Sequence, residues 1–233
     1  MPNATLTYDG KQVTFYDCDP KDCIEGWLLQ GNWYELEMLE FMRSLDVKGI
    51  YVDVGAYVGT FSAFAATFTR ADRVIAFEPH APSFTKLVKN VCGLERFVWP
   101  INMALADRVG AGAMRDGGTN RGGSTLERIE KITDRNANKT TIPISTLDSM
   151  LMRLCVDVLK IDAENCEYEI LLGGSRTLGS VKHLFLESWP RETCERYGVP
   201  WHGIEIVELL LNAGFMHVKE FGGDTHFWSK CHA

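Results

Sequence analysis

The hydrophobic pattern after residue 49 alternates between short apolar runs and amphipathic stretches. The apolar runs are rich in β-branched residues and predict buried strands at 50–54, 73–77, 97–101, 156–161 and 182–186. Apolar residues at three- and four-residue steps predict helices at 61–68, 84–91, 167–178 and 203–213. Strands that alternate with helices predict an α/β fold with a mostly parallel sheet covered on both faces. Residues 216–221 and 227–229 predict a closing antiparallel hairpin.

The N-terminal pattern differs from the rest of the chain. Residues 5–16 alternate around Asp9-Gly10, which predicts a small β-hairpin. Helical spacing between residues 25 and 45 predicts one helix that packs on a larger body. We therefore expect residues 1–48 to be an extension packed on a core domain of residues 49–233.

Residues 108–141 interrupt the alternation of strands and helices. Glycine-rich and asparagine-rich segments there predict a long loop around a short helix near residues 126–132. We interpret this segment as a lid or insertion.

Composition excludes several classes of protein. Of 233 residues, 45% are hydrophobic and 24% are charged, which is ordinary globular usage. The net charge of −7 disfavours nucleic-acid binding. No apolar run is long enough to span a bilayer and no secretion signal is visible, so we expect a soluble cytoplasmic protein. Seven cysteines without a Cys-x-x-Cys pair indicate reduced thiols rather than a disulfide framework or a zinc finger.

A glycine turn follows the first predicted sheet strand. Asp53 precedes Gly55 and Gly59, and the turn opens a predicted helix. Glycines let the backbone turn sharply and approach a ligand. The dinucleotide fingerprint Gly-x-Gly-x-x-Gly is absent, and a carboxylate at this place repels phosphate and suits a cation. The alternative is a plain strand-to-helix connection.

Glu78 ends the second predicted sheet strand, twenty-three residues beyond Gly55. A carboxylate there can accept two hydrogen bonds from a ribose diol. The alternative is a cap on the following helix. Together with the glycine turn, Glu78 favours S-adenosylmethionine over NAD, because S-adenosylmethionine carries a ribose and a positive sulfonium but no phosphate.

Five motifs occur in order along the chain: VDVGAYVG at 52–59, FEP at 77–79, ALAD at 104–107, TLD at 146–148 and LKIDAENCEYEIL at 159–171. With these motifs, residues 33–187 resemble the FkbM-type S-adenosylmethionine-dependent methyltransferases, a class I Rossmann-like family. The chain departs from the family pattern at Tyr57, where Asn is usual, and at Asn165-Cys166, where Gly-Ala is usual.

The resemblance implies a seven-stranded sheet and a set of residues that hold the cofactor. Around its methionine part we expect Glu35, Asp53, Gly55, Ala56, Tyr57, Gly59 and Ser62. Glu78 would hold the ribose, and the adenine would lie against Pro79, Asn102, Met103 and Ala104.

The base that takes the proton of the methyl acceptor is expected among the carboxylates at the ends of the fourth and fifth sheet strands. Asp162 is preferred, Glu187 is second and Glu164 is a further candidate. Plainer roles remain open: Asp162 orienting the cofactor amine, Glu164 capping a helix, and Glu187 pairing with Arg191. A divalent cation held by Asp162 and Glu187 is a less favoured alternative.

The sequence as a whole favours an O-methyltransferase that acts on a hydroxyl of a small molecule, either a natural product or a saccharide. Trp33-Tyr34, Trp189 and Trp201 are expected beside the acceptor. The alternatives are an N-methyltransferase, a nicotinamide-dependent oxidoreductase and a non-catalytic cofactor-binding module. No nucleic-acid or membrane partner is expected, and the strand edges of the N-terminal hairpin would allow homo-oligomers.

Overall fold

A computed structural model describes residues 1–94, 98–115, 126–127 and 139–230. The strands in chain order are β1 (Ala4–Tyr8), β2 (Lys11–Phe15), β3 (Gly49–Val54), β4 (Ala71–Phe77), β5 (Val98–Ile101), β6 (Ala104–Leu105), β7 (Gly110–Arg115), β8 (Leu126–Glu127), β9 (Lys139–Ser145), β10 (Val156–Ile161), β11 (His183–Glu187), β12 (Phe215–Phe221) and β13 (Thr225–Lys230). The helices are α1 (Cys23–Leu29), α2 (Leu36–Ser44), α3 (Thr60–Phe68), α4 (Ala81–Val91), α5 (Leu147–Met150), α6 (Glu167–Leu172), α7 (Ser175–Ser180), α8 (Arg191–Tyr197) and α9 (Gly203–Asn212).

The central sheet has seven strands in the order β12-β13-β11-β10-β3-β4-β5. The five strands from β11 to β5 are parallel, and β13 and β12 add an antiparallel hairpin at one edge. The predicted α/β class, the mostly parallel sheet and the C-terminal hairpin are confirmed. The β3 to β4 to β5 connections use helices, as parallel neighbours require.

Two hydrophobic cores lie on opposite faces of this sheet. Consecutive residues of β10 point into opposite cores. Val158 belongs to the core beneath α3 and α4, whereas Leu159 belongs to the core beneath α6, α7 and α9. Burial on both faces explains why these strands are continuous apolar runs in the sequence.

The expected single helix over residues 25–45 is wrong, because the chain breaks it into α1 and α2. Gly31 adopts a left-handed backbone conformation at φ 83°, and Glu35 does so at φ 53°. The expected helix at 167–178 is also two helices, since the chain turns at Gly173-Gly174 between α6 and α7. A Cβ on Gly173 would lie 2.1 Å from the carbonyl oxygen of Ala106, so a close backbone contact fixes this break.

The expected loop at 108–141 is wrong for the residues that the structure describes. They form β7, β8 and β9, which build a second sheet with β6 in the order β6-β9-β7-β8. Buried Ile142 and Ile144 alternate with exposed positions in β9, which is the pattern of a strand with one buried face. Leu126–Glu127 is strand where a helix was expected; the rest of that expected helix lies outside the described residues.

The N-terminal extension packs on α3 through aromatic rings. The Phe64 ring lies 5.1 Å from Tyr8 of the hairpin, 5.2 Å from Trp33 and 4.9 Å from Phe68, measured between centroids. Phe64 is fully buried. The extension therefore shares one core with the sheet domain. Within the described residues, none of the helices has the length and apolarity needed to cross a bilayer.

Replacing Phe64 with Ala tests this shared core. Phe64→Ala should lower the free energy of unfolding by about 3–5 kcal/mol, because it empties a fully buried ring site. Val88→Ala on the exposed side of α4 should cost less than about 0.5 kcal/mol. Urea unfolding followed by fluorescence measures both, and equal small losses would show that the extension is not part of the core.

Candidate functional site

A cavity of about 260 Å³ opens at the carboxyl ends of the parallel strands. Its walls come from the glycine turn after β3, from Glu78 after β4, and from Met103 and Ala104 after β5. The loop after β10 and the end of β11 complete the sheet side. The N-terminal extension closes the opposite side with residues that include Tyr34 and Glu35. This is the edge at which open α/β sheets bind ligands.

The glycine turn is forced by a close contact with the neighbouring strand. Gly55 has φ 80°, and a Cβ there would lie 1.7 Å from the carbonyl oxygen of Asp162. The Gly55 and Ala56 N–H groups both donate to the Phe77 carbonyl oxygen at 3.0 Å. The plain-connection alternative does not account for the cavity that the turn lines.

Asp53 lies fully buried below the turn. Its Oδ2 accepts a hydrogen bond from the Ser62 hydroxyl at 2.6 Å, while Oδ1 has no hydrogen-bond partner among the described residues. Burial raises the pKa of Asp53, and the Lys160 ammonium opposes that rise. Lys160 is directly opposite Asp53 in the β3–β10 register.

Lys160 is the main buried cation at this edge, and the sequence analysis did not identify it. Its Nζ donates to Asp162 Oδ2 at 2.8 Å. Burial disfavours its charge, but Asp162, Asp53 and Glu35 together raise its pKa. The sequence signal was a lysine inside an apolar strand, a place where an unpaired charge is costly.

Glu78 bridges the glycine turn and the start of α4. Its Oε2 accepts the Tyr57 N–H at 2.7 Å, and its Oε1 accepts the His80 N–H at 2.8 Å. Burial raises the pKa of Glu78 to about 7, against the effect of these two hydrogen bonds. The carboxylate is thus more than a helix cap, because one of its two bonds fixes the turn after another strand.

The expected cofactor residues fall into three groups. Those lining the main cavity are Glu35, Gly55, Tyr57, Glu78, Pro79, Met103, Ala104 and Asp162. Asp53 and Ala56 line a smaller adjoining cavity of about 40 Å³, which Glu35 and Asp162 share. Gly59, Ser62 and Asn102 line neither cavity. Asn102 instead supports the rim, since its Nδ2 donates to the carbonyl oxygens of Glu78 and Pro79 at 2.8 and 3.0 Å.

Asp162 and Glu187 are two neighbouring carboxyls that line the main cavity. Burial alone would raise the pKa of Asp162, but the Lys160 ammonium and its hydrogen bond hold it below its usual range. Burial and the charge of Asp162 raise the pKa of Glu187 to about 11. At neutral pH Glu187 is therefore the protonated partner, and Asp162 is the carboxylate.

The other carboxyls near this pair have separate roles. Burial raises the pKa of Glu164 to about 8, and it lines the cavity at a left-handed φ of 53°. Glu167 is buried and accepts the Ala163 N–H at 2.8 Å, which holds the loop after β10. Arg191 pairs with Glu195 at 2.8 Å, so the alternative in which Glu187 pairs with Arg191 is wrong.

The main cavity is lined by acidic side chains and by no basic ones among the described residues. Five carboxyl groups line it, and its lining includes no Lys, Arg or His among the residues that the structure describes. Across the same described part of the chain, no group of three or more His, Cys, Asp or Glu side chains is arranged to hold a metal ion. One Asp162 oxygen, Oδ2, is bound by the Lys160 ammonium.

The aromatic residues expected beside the acceptor lie in three different places. Trp33 is buried in the core against Phe64, so that expectation is wrong, whereas Tyr34 lines the main cavity. Trp189 and Trp201 line a second groove of about 510 Å³ that begins at Ser188, directly after Glu187.

Comparison with known proteins gives a family. The profile of the methyltransferase FkbM domain matches residues 53–216, more than half of the chain. No curated protein matches the sequence. The chain is similar to the crystal structure of the FkbM methyltransferase from Methylobacillus flagellatus, with 16% identity and a TM-score of 0.54. That alignment covers 88% of this chain and 52% of the other, so the chain spans about half its length.

Two further solved structures are similar at lower scores. A precorrin-6y C5,15-methyltransferase from Geobacter metallireducens has 14% identity, a TM-score of 0.48 and coverage of 84% of this chain and 88% of that one. An rRNA methylase from Streptococcus thermophilus has 14% identity, a TM-score of 0.48 and coverage of 84% and 95%.

Alanine at Gly55 tests the strand contact. Gly55→Ala should cost more than about 4 kcal/mol of unfolding free energy, because the new Cβ meets a backbone carbonyl that cannot move away. Gly10→Ala is the matched control: its φ is 74°, yet nothing lies within 4 Å of the added Cβ. It should cost only about 1–2 kcal/mol. Similar losses in urea unfolding for both variants would contradict the contact.

The raised pKa values predict how stability depends on pH. Burial raises the pKa of Glu35, Glu78 and Glu167 to about 7 and that of Glu164 to about 8. Groups with a raised folded-state pKa stabilise the fold below their unfolded pKa, and this stabilisation is lost as pH rises through the folded value. The melting temperature of the ligand-free protein should therefore fall between pH 5 and pH 8.5.

Glu164→Gln should make this fall shallower, because it removes one titrating group from the cavity. The exposed Glu192→Gln should leave the slope as in the wild type. A melting temperature that rises across this interval would mean that the cavity carboxyls ionise without hindrance.

Proposed function

The chain belongs to the FkbM methyltransferase family, and from that premise we propose that it transfers a methyl group from S-adenosylmethionine to a hydroxyl of a small molecule. Methyltransfer from S-adenosylmethionine follows from the family. That the acceptor is a hydroxyl goes beyond the family assignment, and this part of the proposal depends on the chemistry of Asp162.

The residues present fit S-adenosylmethionine. Gly55 lines the cavity with the left-handed backbone of the turn, and Asp53 supplies a buried carboxyl with an unpartnered oxygen below the turn. Glu78 keeps acceptor capacity for a ribose diol beyond its two backbone bonds. Pro79, Met103 and Ala104 offer an apolar wall for the adenine. Bound there, the cofactor supplies an electrophilic methyl group on a sulfonium leaving group.

The observation that carries the proposal is the position of Asp162 at the carboxyl end of β10, paired with the Lys160 ammonium at 2.8 Å, which favours its ionised form. It lines both the main cavity and the smaller adjoining one, so it can meet a ligand from either side. Asp162 accepts the proton of the acceptor hydroxyl as that oxygen takes the methyl group. A carboxylate with a low pKa suffices, because the hydroxyl proton becomes strongly acidic once the oxygen begins to bond to carbon.

Glu187 supports Asp162 rather than acting as the base. A carboxyl with a pKa of about 11 keeps its proton at neutral pH and is available as a hydrogen-bond donor beside Asp162. The observed Lys160 ion pair at 2.8 Å fixes the direction of the Asp162 carboxylate. Correct orientation of a catalytic group contributes as much to rate as its basicity.

The lining of the cavity supports an uncharged acceptor. The main cavity offers an anion no cationic partner among the described lining residues, so a phosphate or carboxylate acceptor is disfavoured. The net charge of −7 acts in the same direction against RNA. The groove beside Trp189 and Trp201 suits a ring that stacks on indole, as in a saccharide or an aromatic natural product.

A second candidate is N-methylation, and the same acidic lining favours it. An amine can enter such a cavity as an ammonium ion, and after it has lost one proton to solvent its lone pair attacks the methyl group with less help from a base than a hydroxyl needs. The nicotinamide alternative has no support from the family.

The acceptor class can be tested with radiolabelled S-adenosylmethionine and three panels: neutral saccharides and polyketides with free hydroxyls, primary amines, and tRNA or rRNA. We expect label in the first panel, with mass spectrometry placing the methyl group on oxygen. Label confined to amines would establish N-methylation, and label confined to RNA would overturn the small-molecule proposal.

Asp162→Asn separates base catalysis from cofactor orientation. It should lower kcat/KM for a hydroxyl acceptor by about 10²–10⁴-fold, the usual contribution of a general base. Glu187→Gln should lose less than about tenfold, since an amide N–H can replace the carboxyl as donor to Asp162. Titration calorimetry should find the affinity of Asp162→Asn for S-adenosylmethionine changed less than its rate. A large loss of affinity with an unchanged kcat would assign Asp162 to cofactor binding, and little effect on either would favour an amine acceptor.

A further inference from the structure

The N-terminal extension carries a buried carboxylate that contacts the glycine turn. Glu25 of α1 is 1% exposed, and its Oε1 accepts the Tyr57 hydroxyl at 2.8 Å. Lys86 of α4 donates to both Glu25 oxygens at 2.6 Å, and the Asp19 N–H donates to Oε2 at 2.7 Å. The family match begins at residue 53, so Glu25 lies outside it.

Tyr57 has a backbone conformation that its surroundings must hold. Its φ of 49° is left-handed, which costs a non-glycine residue about 1–2 kcal/mol. In this conformation its N–H points to Glu78 Oε2 at 2.7 Å. Burial, followed by the charges of Glu25 and Asp22, raises the pKa of Tyr57, so the phenol remains a donor at neutral pH.

A second link joins the same three parts of the chain. Asn90 is one helical turn beyond Lys86 on α4, so both side chains leave the same face of that helix. Its Nδ2 donates to the Val58 carbonyl oxygen at 2.8 Å, and its Oδ1 accepts the Tyr16 N–H at 2.8 Å. The extension therefore meets two consecutive residues of the turn, Tyr57 directly through Glu25 and Val58 through Asn90 of α4.

We propose that Glu25 is a positioning residue for the cofactor: it fixes the Tyr57 side chain, and Tyr57 in turn presents its N–H to Glu78. The order of contacts is Lys86 and Glu25, then the Tyr57 hydroxyl, then the Tyr57 backbone, and finally the carboxylate that faces the ribose. A buried ion pair is a poor source of stability, because both charges lose their hydration. Its use here is to hold one geometry at the turn.

The inference rests on the cofactor site of the proposed function and is independent of the acceptor. Tyr57→Phe removes only the hydroxyl that Glu25 holds. Its matched control is Tyr51→Phe, which removes another buried hydroxyl, one that donates to the Val47 carbonyl oxygen at 2.9 Å and has no contact with the turn. Titration calorimetry of each ligand-free variant gives the Kd of S-adenosylmethionine and of S-adenosylhomocysteine.

Tyr57→Phe should raise both Kd values by about tenfold, since the two ligands share the ribose, while Tyr51→Phe should stay within about twofold of the wild type. Glu25→Gln should weaken binding similarly, and the double variant Tyr57→Phe with Glu25→Gln should be no weaker than the weaker single variant. Melting temperatures, measured in parallel, report any purely structural role.

Unchanged Kd values in Tyr57→Phe would overturn the inference, even with a lower melting temperature, because the network would then serve stability alone. Equal weakening in Tyr51→Phe would overturn it as well. Absence of S-adenosylmethionine binding by the wild type would instead refute the cofactor site itself. If Glu25→Gln fails to fold, the comparison of Tyr57→Phe with Tyr51→Phe still decides.

Discussion

The backbone contact between Gly55 and Asp162 is the constraint on which the site depends. It brings the ends of β3 and β10 so close that a Cβ at residue 55 would lie 1.7 Å from a carbonyl oxygen. Because the strands are parallel, Asp53 and Lys160 are paired in register just below this contact. The close approach of the two strands that requires glycine at residue 55 therefore also places Asp53, Lys160 and Asp162 around one cavity.

The charges in that cavity are organised around Lys160. Its ammonium lowers the pKa of Asp162, and burial together with the charge of Asp162 raises the pKa of Glu187 to about 11. One buried cation thus divides two neighbouring carboxyls into a proton acceptor and a hydrogen-bond donor. Separation of pKa values within a pair is a common way for a site to assign acid and base roles.

Much of this architecture was accessible from the sequence, because the strands are buried on both faces and their ends carry Asp53, Glu78, Asp162 and Glu187. The break between α1 and α2 was not, since the apolar spacing continues across Gly31 and a glutamate gives no local signal for the left-handed conformation of Glu35. The roles of Lys160 and Glu25 were also hidden. The role of a buried charge becomes clear only from its partners in the fold. The partners of Glu25 are Tyr57 and Lys86, which lie 32 and 61 residues away along the chain, so the sequence does not show that they meet.

The central claim is that this negatively charged turn accepts a nucleoside with a sulfonium and rejects a pyrophosphate. Titration calorimetry of the wild-type protein with S-adenosylmethionine and with NAD, under the same conditions, tests that claim most directly. The account predicts a saturable one-to-one isotherm with S-adenosylmethionine and no heat of binding with NAD. Binding of NAD, or of neither ligand, would contradict it.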